Sequence, residues 1–461
     1  MSDTEQIKKK SAGGRREGAV DMLHGPLAGP IVMFAIPLAL SSMLQQLFNA
    51  ADTAVVGRFA SSQAMAAVGS NSAVINLIIG LFVGLSVGAN VLIASLIGMG
   101  KAEEIQSAVQ TSIAVALVSG VILLFTDEVA ARPLLQLMNT PEDVLDLASL
   151  YLRIYFLGMP FIMLYNFGSA ILRSKGDSKR PVYALLCGGI LNVLLNLLLV
   201  IVFHLHVIGV ASATVVSNVV SSSLVLFFLL HEEDPFRLQT DRLRLSRKHL
   251  VQMIRIGQPA GLQGVVFSLS NTVIQSAVNS FGSYASAGSA AALNFEIIAY
   301  YGVNAFNQAV VTFTSQNYAA GRFDRCKKIY RYGLLFTFLI TAALDFTFIA
   351  ARNVTLSLFT TDPEVIRFAV IRLTHILAFQ WMVTSYEITG SAMRGMGYSL
   401  TPALITLFGT CLFRLFWVLV LFPMHRDFGF LLYVYPASWI ITGTAVYIAF
   451  LFIRKKAMSR G

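Results

Sequence analysis

Apolar stretches of roughly 20 residues recur from one end of this 461-residue chain to the other. Each is long enough to cross a hydrocarbon core of about 30 Å. Inside lipid a backbone N–H or C=O finds no water, so a spanning segment must satisfy its own polar groups as a helix or close into a barrel. Barrel strands would alternate apolar and polar residues over about ten positions, and no such alternation is present. The expected fold is therefore all-α integral membrane. Composition supports this where it matters: only 13% of the residues are charged, too few to coat a soluble surface.

The apolar pattern predicts twelve transmembrane helices, near 31–56, 68–98, 105–126, 146–172, 181–203 and 207–230, then 250–279, 287–318, 329–350, 366–393, 402–423 and 430–453. They fall into an N-lobe (31–230) and a C-lobe (250–453). A polar linker, 231–249, joins the lobes, and tails of 1–30 and 454–461 flank them. The first thirty residues are polar or glycine-rich, so no signal peptide is expected.

The formal net charge is +10, which in a soluble chain could suggest nucleic acid. Its placement says otherwise. Twenty-six of the 34 Lys and Arg residues fall in the two tails and in alternate loops, including Lys8, Lys9, Lys10, Arg15 and Arg16, the linker, and Arg454 to Arg460. The opposite loops are poor in basic residues and partly acidic, with Asp127-Glu128, Glu142-Asp143, and Asp362 with Glu364. This asymmetry predicts cytoplasmic termini on both ends of a multi-pass protein, with the lipid bilayer as its partner. Nucleic-acid binding is not expected.

The second half repeats the first. Arg173-Ser174-Lys175-Gly176 returns as Arg394-Gly395-Met396-Gly397, 221 residues on. Pro181 and Pro402, Tyr165 and Tyr386, Leu137 and Leu358, and Thr140 and Thr361 keep that offset, as do Val144 and Val365, and Gly100-Lys101 and Gly321-Arg322. Pro37 matches Pro259, and Asn49 matches Asn271, at 222. Six helices per copy give both copies the same orientation, so the lobes should be related by a pseudo-twofold axis along the membrane normal, with a cavity between them. Cys187, Cys326 and Cys411 are too far apart for a zinc or disulfide motif and read as small packing residues.

Ionisable and amide groups within spans are costly and are the first functional candidates. Gln45, Asn49 and Asp52 lie on one face of the first helix. A carboxylate among amides in a partly dry site can bind a cation or hold a proton. Asn192 and Asn196 share a face of the fifth helix, and Thr214 lies in the sixth; their oxygens suit a hard cation such as Na⁺, but spacing alone favours interhelical hydrogen bonds. Asn271, Gln275 and Asn279 stripe the seventh helix. Glu296, Tyr300, Asn304 and Gln308 stripe the eighth. Together they suggest a polar cavity wall, with Glu296 facing a cationic substrate or carrying a proton, or else serving as packing glue. Tyr165, Trp381 and Tyr386 could stack on an organic cation or pack against lipid and neighbours. His375 reads as structural. Glu387 could pair with Arg394, and Arg414 is expected to meet a carboxylate or carbonyls. No phosphate loop, catalytic triad or metal motif is present, so neither an enzyme nor ATP-driven transport is expected. The glycines at 80, 84 and 88 suit close helix contact.

In order and at these spacings, these residues resemble the multidrug and toxic compound extrusion (MATE) family, prokaryotic type, over nearly the whole chain. The likeness rests on Pro37 through Gly57 with Asp52, Ala66-Ala67-Val68-Gly69, Gly84-Leu85-Ser86-Val87-Gly88, Ala170-Ile171-Leu172-Arg173 with Gly176-Asp177 and Pro181, Asn192, and Gly209 to Thr214. The resemblance implies two six-helix lobes that rock between facing states. It also implies export of organic cations or other amphipathic drugs, toxins and metabolites in exchange for H⁺ or Na⁺, with no other cofactor. The family's first-lobe cation site would fall on Asp52, Asn192, Asn196 and Thr214, the possible Na⁺ ligands. Asn196 stands where the family usually has Asp, leaving one carboxylate. A second-lobe acidic site known in another branch is not carried over, because the seventh helix lacks its acid. The expected protein is a monomeric antiporter of a small-molecule substrate. A lipid-linked sugar or lipid flippase of related architecture is the alternative; it would need a strongly cationic cavity, and buried Arg or Lys is scarce in the predicted spans.

Overall fold

A computed structural model describes residues 19–60, 62–137, 140, 142–357 and 361–458. The basic residues Lys8, Lys9, Lys10, Arg15, Arg16 and Arg460, and the repeat position Leu358, lie outside the described residues. So do the side chains of Asp127, Glu128 and Asp143.

The described elements are helices. In the first half they are α1 (Ala28–Phe59), α2 (Ser62–Gly98), α3 (Ala102–Leu137), α4 (Glu142–Leu157), α5 (Met159–Ser174), α6 (Lys179–Asn196) and α7 (His206–Leu230). In the second they are α8 (Arg247–Asn279), α9 (Ser283–Ala319), α10 (Phe323–Ala350), the short α11 (Arg352–Ser357), α12 (Pro363–Gln380), α13 (Val383–Gly395), α14 (Leu400–Thr406), α15 (Phe413–Phe416), α16 (Phe428–Leu432) and α17 (Val434–Met458). Among the described residues, eight helical spans are each long and apolar enough to cross a membrane, and so are two bent pairs, α4 with α5 and α12 with α13. Helices α8 and α9 complete the twelve. They are 33 and 37 residues long, and their polar stripes lower their apolarity.

Two expectations need adjustment. Helix α3 continues to Leu137, past Pro133, whereas the apolar run ends at Thr126; a helix outside the lipid core has no need of apolar residues. The expected fourth and tenth helices are each broken. The first bends by 49° at Gly158, where Pro160 opens α5, and the second by 45° between Gln380 and Val383. Pro160 lacks the N–H that would carry the ladder through the break.

The repeat is visible in the backbone. Gly100 and Gly321 end α2 and α9 with φ of 69° and 70°, and Gly176 and Gly397 end α5 and α13 with φ of 102° and 87°. The matched turns share the same closing bonds. Asp177 N–H donates to the Leu172 carbonyl at 3.1 Å, and Tyr398 N–H to the Met393 carbonyl at 2.9 Å. Such a left-handed helix stop favours glycine. A π-helical stretch also recurs: Leu197–Val202 follows α6, and Trp417–Leu421 follows α15, with a further one at Leu407–Leu412.

By packing, the chain divides into two compact units. The first contains Ile36–Ile78 and Leu92–Met253 with residues 19–26. The second contains the chain from Ile254 on, together with Leu27–Ala35 of α1 and Ile79–Val91 of α2. These two pieces join the second unit through contacts that need small residues. A Cβ on Gly84 would lie 2.4 Å from the Gly261 backbone and 2.8 Å from the Gly257 carbonyl oxygen. Phe34 meets Phe313 edge-on at 5.8 Å, and Thr312 donates to Asn90 at 2.9 Å. Gly80 has nothing within 4 Å of its would-be Cβ, so of these two glycines Gly84 is the one that close contact requires.

Candidate functional site

In the first unit, α1, α6 and α7 bring Asp52, Asn192, Asn196 and Thr214 into one hydrogen-bonded cluster. Asp52 is 7% exposed and Asn196 fully buried. Asn196 Nδ2 donates to Asp52 Oδ1 and to Asn192 Oδ1, the second at 3.2 Å. Thr214 Oγ1 lies 3.4 Å from Asp52 Oδ2 and 3.0 Å from the Val210 carbonyl; its one proton can serve only one of them. Asn192 Nδ2 donates to Thr214 Oγ1 at 3.4 Å. Asn196 Oδ1 is buried with no hydrogen-bond partner among the described residues. Val55, Tyr151, Val200 and Val210 form part of the apolar cluster beside it. Helix α6 turns π-helical directly after Asn196, a local widening often found at functional positions.

This cluster holds one carboxylate, two amide oxygens and a hydroxyl, drawn from three helices. It is an all-oxygen set, the kind a hard monovalent cation accepts. The carboxylate could equally take up a proton. Gln45 and Asn49 do not join it. Both are exposed, and the bond that involves Asn49 is backbone, its carbonyl accepting from Thr53 at 3.1 Å.

The second unit contains a cavity of about 420 Å³. Its walls include Asn271, Gln275, Glu296 and Tyr300 from the stripes read in the sequence, and also Phe267, Arg372, Gln380, Tyr386, Arg414, Tyr435 and Trp439. Glu296 does not stand alone. Arg372 holds it with two bonds, Nε to Oε1 at 2.7 Å and Nη2 to Oε2 at 2.9 Å, and Gln380 Nε2 donates to the Glu296 carbonyl at 2.8 Å. Arg414 meets no carboxylate among the described residues. Its Nε donates to Ser438 Oγ at 3.1 Å and its Nη1 to Asn271 Oδ1 at 2.9 Å. The guanidinium lies over Tyr435 at 4.7 Å and Phe267 at 5.1 Å, while Nη2 has no hydrogen-bond partner among the described residues.

Three further residues stand apart from this cavity. Tyr165 belongs to the first unit, where its hydroxyl donates to the Pro181 carbonyl at 3.1 Å. Trp381 sits at the α12–α13 bend, bonded to the Ala378 carbonyl at 2.9 Å and edge-on to Phe338. Asn304 is half-buried on α9 and does not line the cavity. His375 is tied to the Ile371 carbonyl at 2.8 Å. Asp345 is fully buried in α10. Cys187 is exposed; Cys326 and Cys411 are buried.

Sequence reasoning missed Arg372 and the charge of this cavity. Buried arginine is not scarce here: Arg372, Arg394 and Arg414 are all buried in the second unit. The signal was available, since Arg372 falls inside the expected tenth span. The rule that singled out intramembrane acids applies equally to arginine.

The MatE family model matches residues 37–198 and again 259–419, once in each copy of the repeat. The chain is 31% identical over 388 residues to the probable multidrug resistance protein YoeA of Bacillus subtilis, covering 82% of this chain and 83% of that protein. It is 25% identical over 351 residues to the FAD transporter of Shewanella oneidensis, covering 74% and 77%. Among solved structures, the outward-facing conformation of a multidrug resistance MATE family transporter matches with a TM-score of 0.87 at 22% identity, over 97% of this chain and 100% of that one.

Proposed function

The chain belongs to the MatE family of multidrug efflux transporters, and on that premise we propose that it is a secondary antiporter. It exports an amphipathic small molecule across the bacterial inner membrane in exchange for H⁺ or Na⁺ bound at Asp52, working as a monomer with both termini in the cytoplasm. The observation that carries this reading is the Asp52 cluster. One buried carboxylate is ringed by Asn192, Asn196 and Thr214 from two other helices. An occupant there bears on α1, α6 and α7 together. A helix movement that separates the three changes its affinity. Exchange requires only that ion and substrate each prefer a different facing state. The placement of Lys and Arg supports the orientation.

The test is efflux from proteoliposomes with a pH gradient and a Na⁺ gradient imposed separately. One of the two gradients should drive export, and Asp52→Asn should reduce the driven component at least tenfold. Undiminished gradient-driven export by Asp52→Asn would sink the assignment. A steady conductance without exchange would point to a channel instead.

A further inference from the structure

The second unit's cavity has a charge that its own side chains leave unbalanced, and this deepens the transport reading on which it rests. Three charged residues line it. Glu296 and Arg372 cancel each other through two hydrogen bonds. Arg414 remains, 1% exposed. Of its five N–H groups, one reaches Ser438 and one Asn271, both neutral partners. Behind the wall, Glu387 accepts from Tyr300 at 3.4 Å, but Asn307 bridges it to the Arg394 guanidinium. Neither acid is therefore left to answer Arg414, and Asp345, a further buried acid of this unit, lies in α10 and does not line the cavity.

A buried cation without a counter-charge is costly to maintain. The rings of Phe267 and Tyr435 beside the guanidinium ease that cost but carry no charge. A guest could supply it. The planar guanidinium suits two parallel bonds to a carboxylate, sulfonate or phosphate. The rest of the wall suits a flat apolar body, since Phe267, Tyr300, Tyr386, Tyr435 and Trp439 all line a volume of about 420 Å³, within the range of small-molecule sites. A cationic guest would find Glu296 already held by Arg372 and would face the uncompensated Arg414.

We infer that this cavity takes an aromatic anion, a flat ring system bearing one acidic group, with Arg414 as the residue that holds the acid. The second copy of the repeat has diverged accordingly. Ile274 stands 222 residues after Asp52 and Tyr435 stands 221 after Thr214, so an oxygen cluster in one half is replaced by an aromatic wall in the other.

The experiment is equilibrium binding to the purified full chain in detergent, using two probes with the same rings and opposite charge: 1-pyrenesulfonate and (1-pyrenylmethyl)trimethylammonium. The sulfonate should bind at least tenfold more tightly. Arg414→Gln should weaken the sulfonate about tenfold and leave the ammonium probe unchanged or improved. Because Arg414→Gln could fail to fold, Asn271→Asp is the second variant. It places a carboxylate against Arg414 from the position that already bonds it, and should remove the preference while keeping the chain monodisperse. Tighter binding of the ammonium probe, equal loss of both probes in Asn271→Asp, or binding of neither at millimolar concentration would each overturn the inference. Binding at equilibrium needs no gradient. Gradient-driven export reads the coupling site and equilibrium binding reads this cavity, so failure of one is distinguishable from failure of the other.

Discussion

Glu387 and Arg394 are joined through Asn307. Its Nδ2 donates to Glu387 Oε2 at 2.5 Å, and its Oδ1 accepts from Arg394 Nη1 at 3.4 Å and from Ser391. Seven residues apart on α13, the acid and the base share one amide from α9. Asn307→Ala would leave both buried groups short of a partner and should destabilise the protein by about 1–3 kcal/mol. Thermal unfolding in detergent measures this. In a double-mutant cycle the loss should be less than additive with Glu387→Gln. Additivity would mean that the bridge contributes nothing.

Asn196→Asp tests the ion cluster from the opposite direction to removing Asp52. It adds a second carboxylate directly beside the first, and charge count in an oxygen site tunes cation affinity. With Na⁺ as the driving ion, half-maximal Na⁺ stimulation of export should fall to a Na⁺ concentration about tenfold lower, a gain of about 1.4 kcal/mol. A Na⁺ titration of export reads the outcome. No change in Na⁺ dependence would mean that the cluster does not coordinate the ion.

Gly84 and Gly80 lie one helical turn apart and should respond differently to the same substitution. Gly84→Ala drives a Cβ into the backbone of Gly261 and should cost about 1–3 kcal/mol through overpacking. Gly80→Ala meets open space and should be neutral or slightly stabilising. Comparing the two melting temperatures decides it. Equal shifts would mean that the close approach of α2 and α8 is not needed for stability.

Glu232, just after α7, binds Lys175 at 2.6 Å and also Arg180. Burial pushes its proton affinity up, but the ammonium and guanidinium together hold the carboxyl below its usual range. The folded state therefore binds the proton more weakly than the unfolded chain. The stabilisation is complete above the unfolded value of about 4.3 and is lost as pH falls through the lower folded value. Glu232→Gln should cost on the order of 3 kcal/mol at pH 7, and its melting temperature should converge on that of the wild type on acidification below about pH 4. A gap that persists unchanged at pH 3 would argue that the carboxylate's charge is not the cause.

The parts of this molecule that were legible in the sequence are those that depend on local pattern. Apolar runs defined the helices, and a fixed offset revealed the repeat because matched turns need matched glycines. Asp52 could be singled out because ionisable side chains are rare in lipid-spanning segments, whereas Asn192, Asn196 and Thr214 joined it only through the family resemblance. Periodicity was less informative about Gln45 and Asn49. It places them on the face of Asp52 but cannot say which turn of that face meets α6 and α7. The pairing of Glu296 with Arg372 was not legible either. The two lie 76 residues apart on α9 and α12, and only packing decides whether a buried acid awaits a substrate or already holds a neighbour. The bends in α4–α5 and α12–α13 were hidden for a related reason: hydropathy records what a segment is made of, not its direction.

The left-handed turns at Gly176 and Gly397 have nearly the same backbone and unlike surroundings. At Gly176 a Cβ would sit 2.3 Å from the Val20 carbonyl oxygen, whose own N–H donates to Gly176 at 3.0 Å. At Gly397 nothing lies within 4 Å, and the residue is exposed. A protease or antibody that recognises this turn by shape would therefore find one epitope, not two. Internal duplication has produced twin turns of which only the second is open to a molecule approaching from solvent.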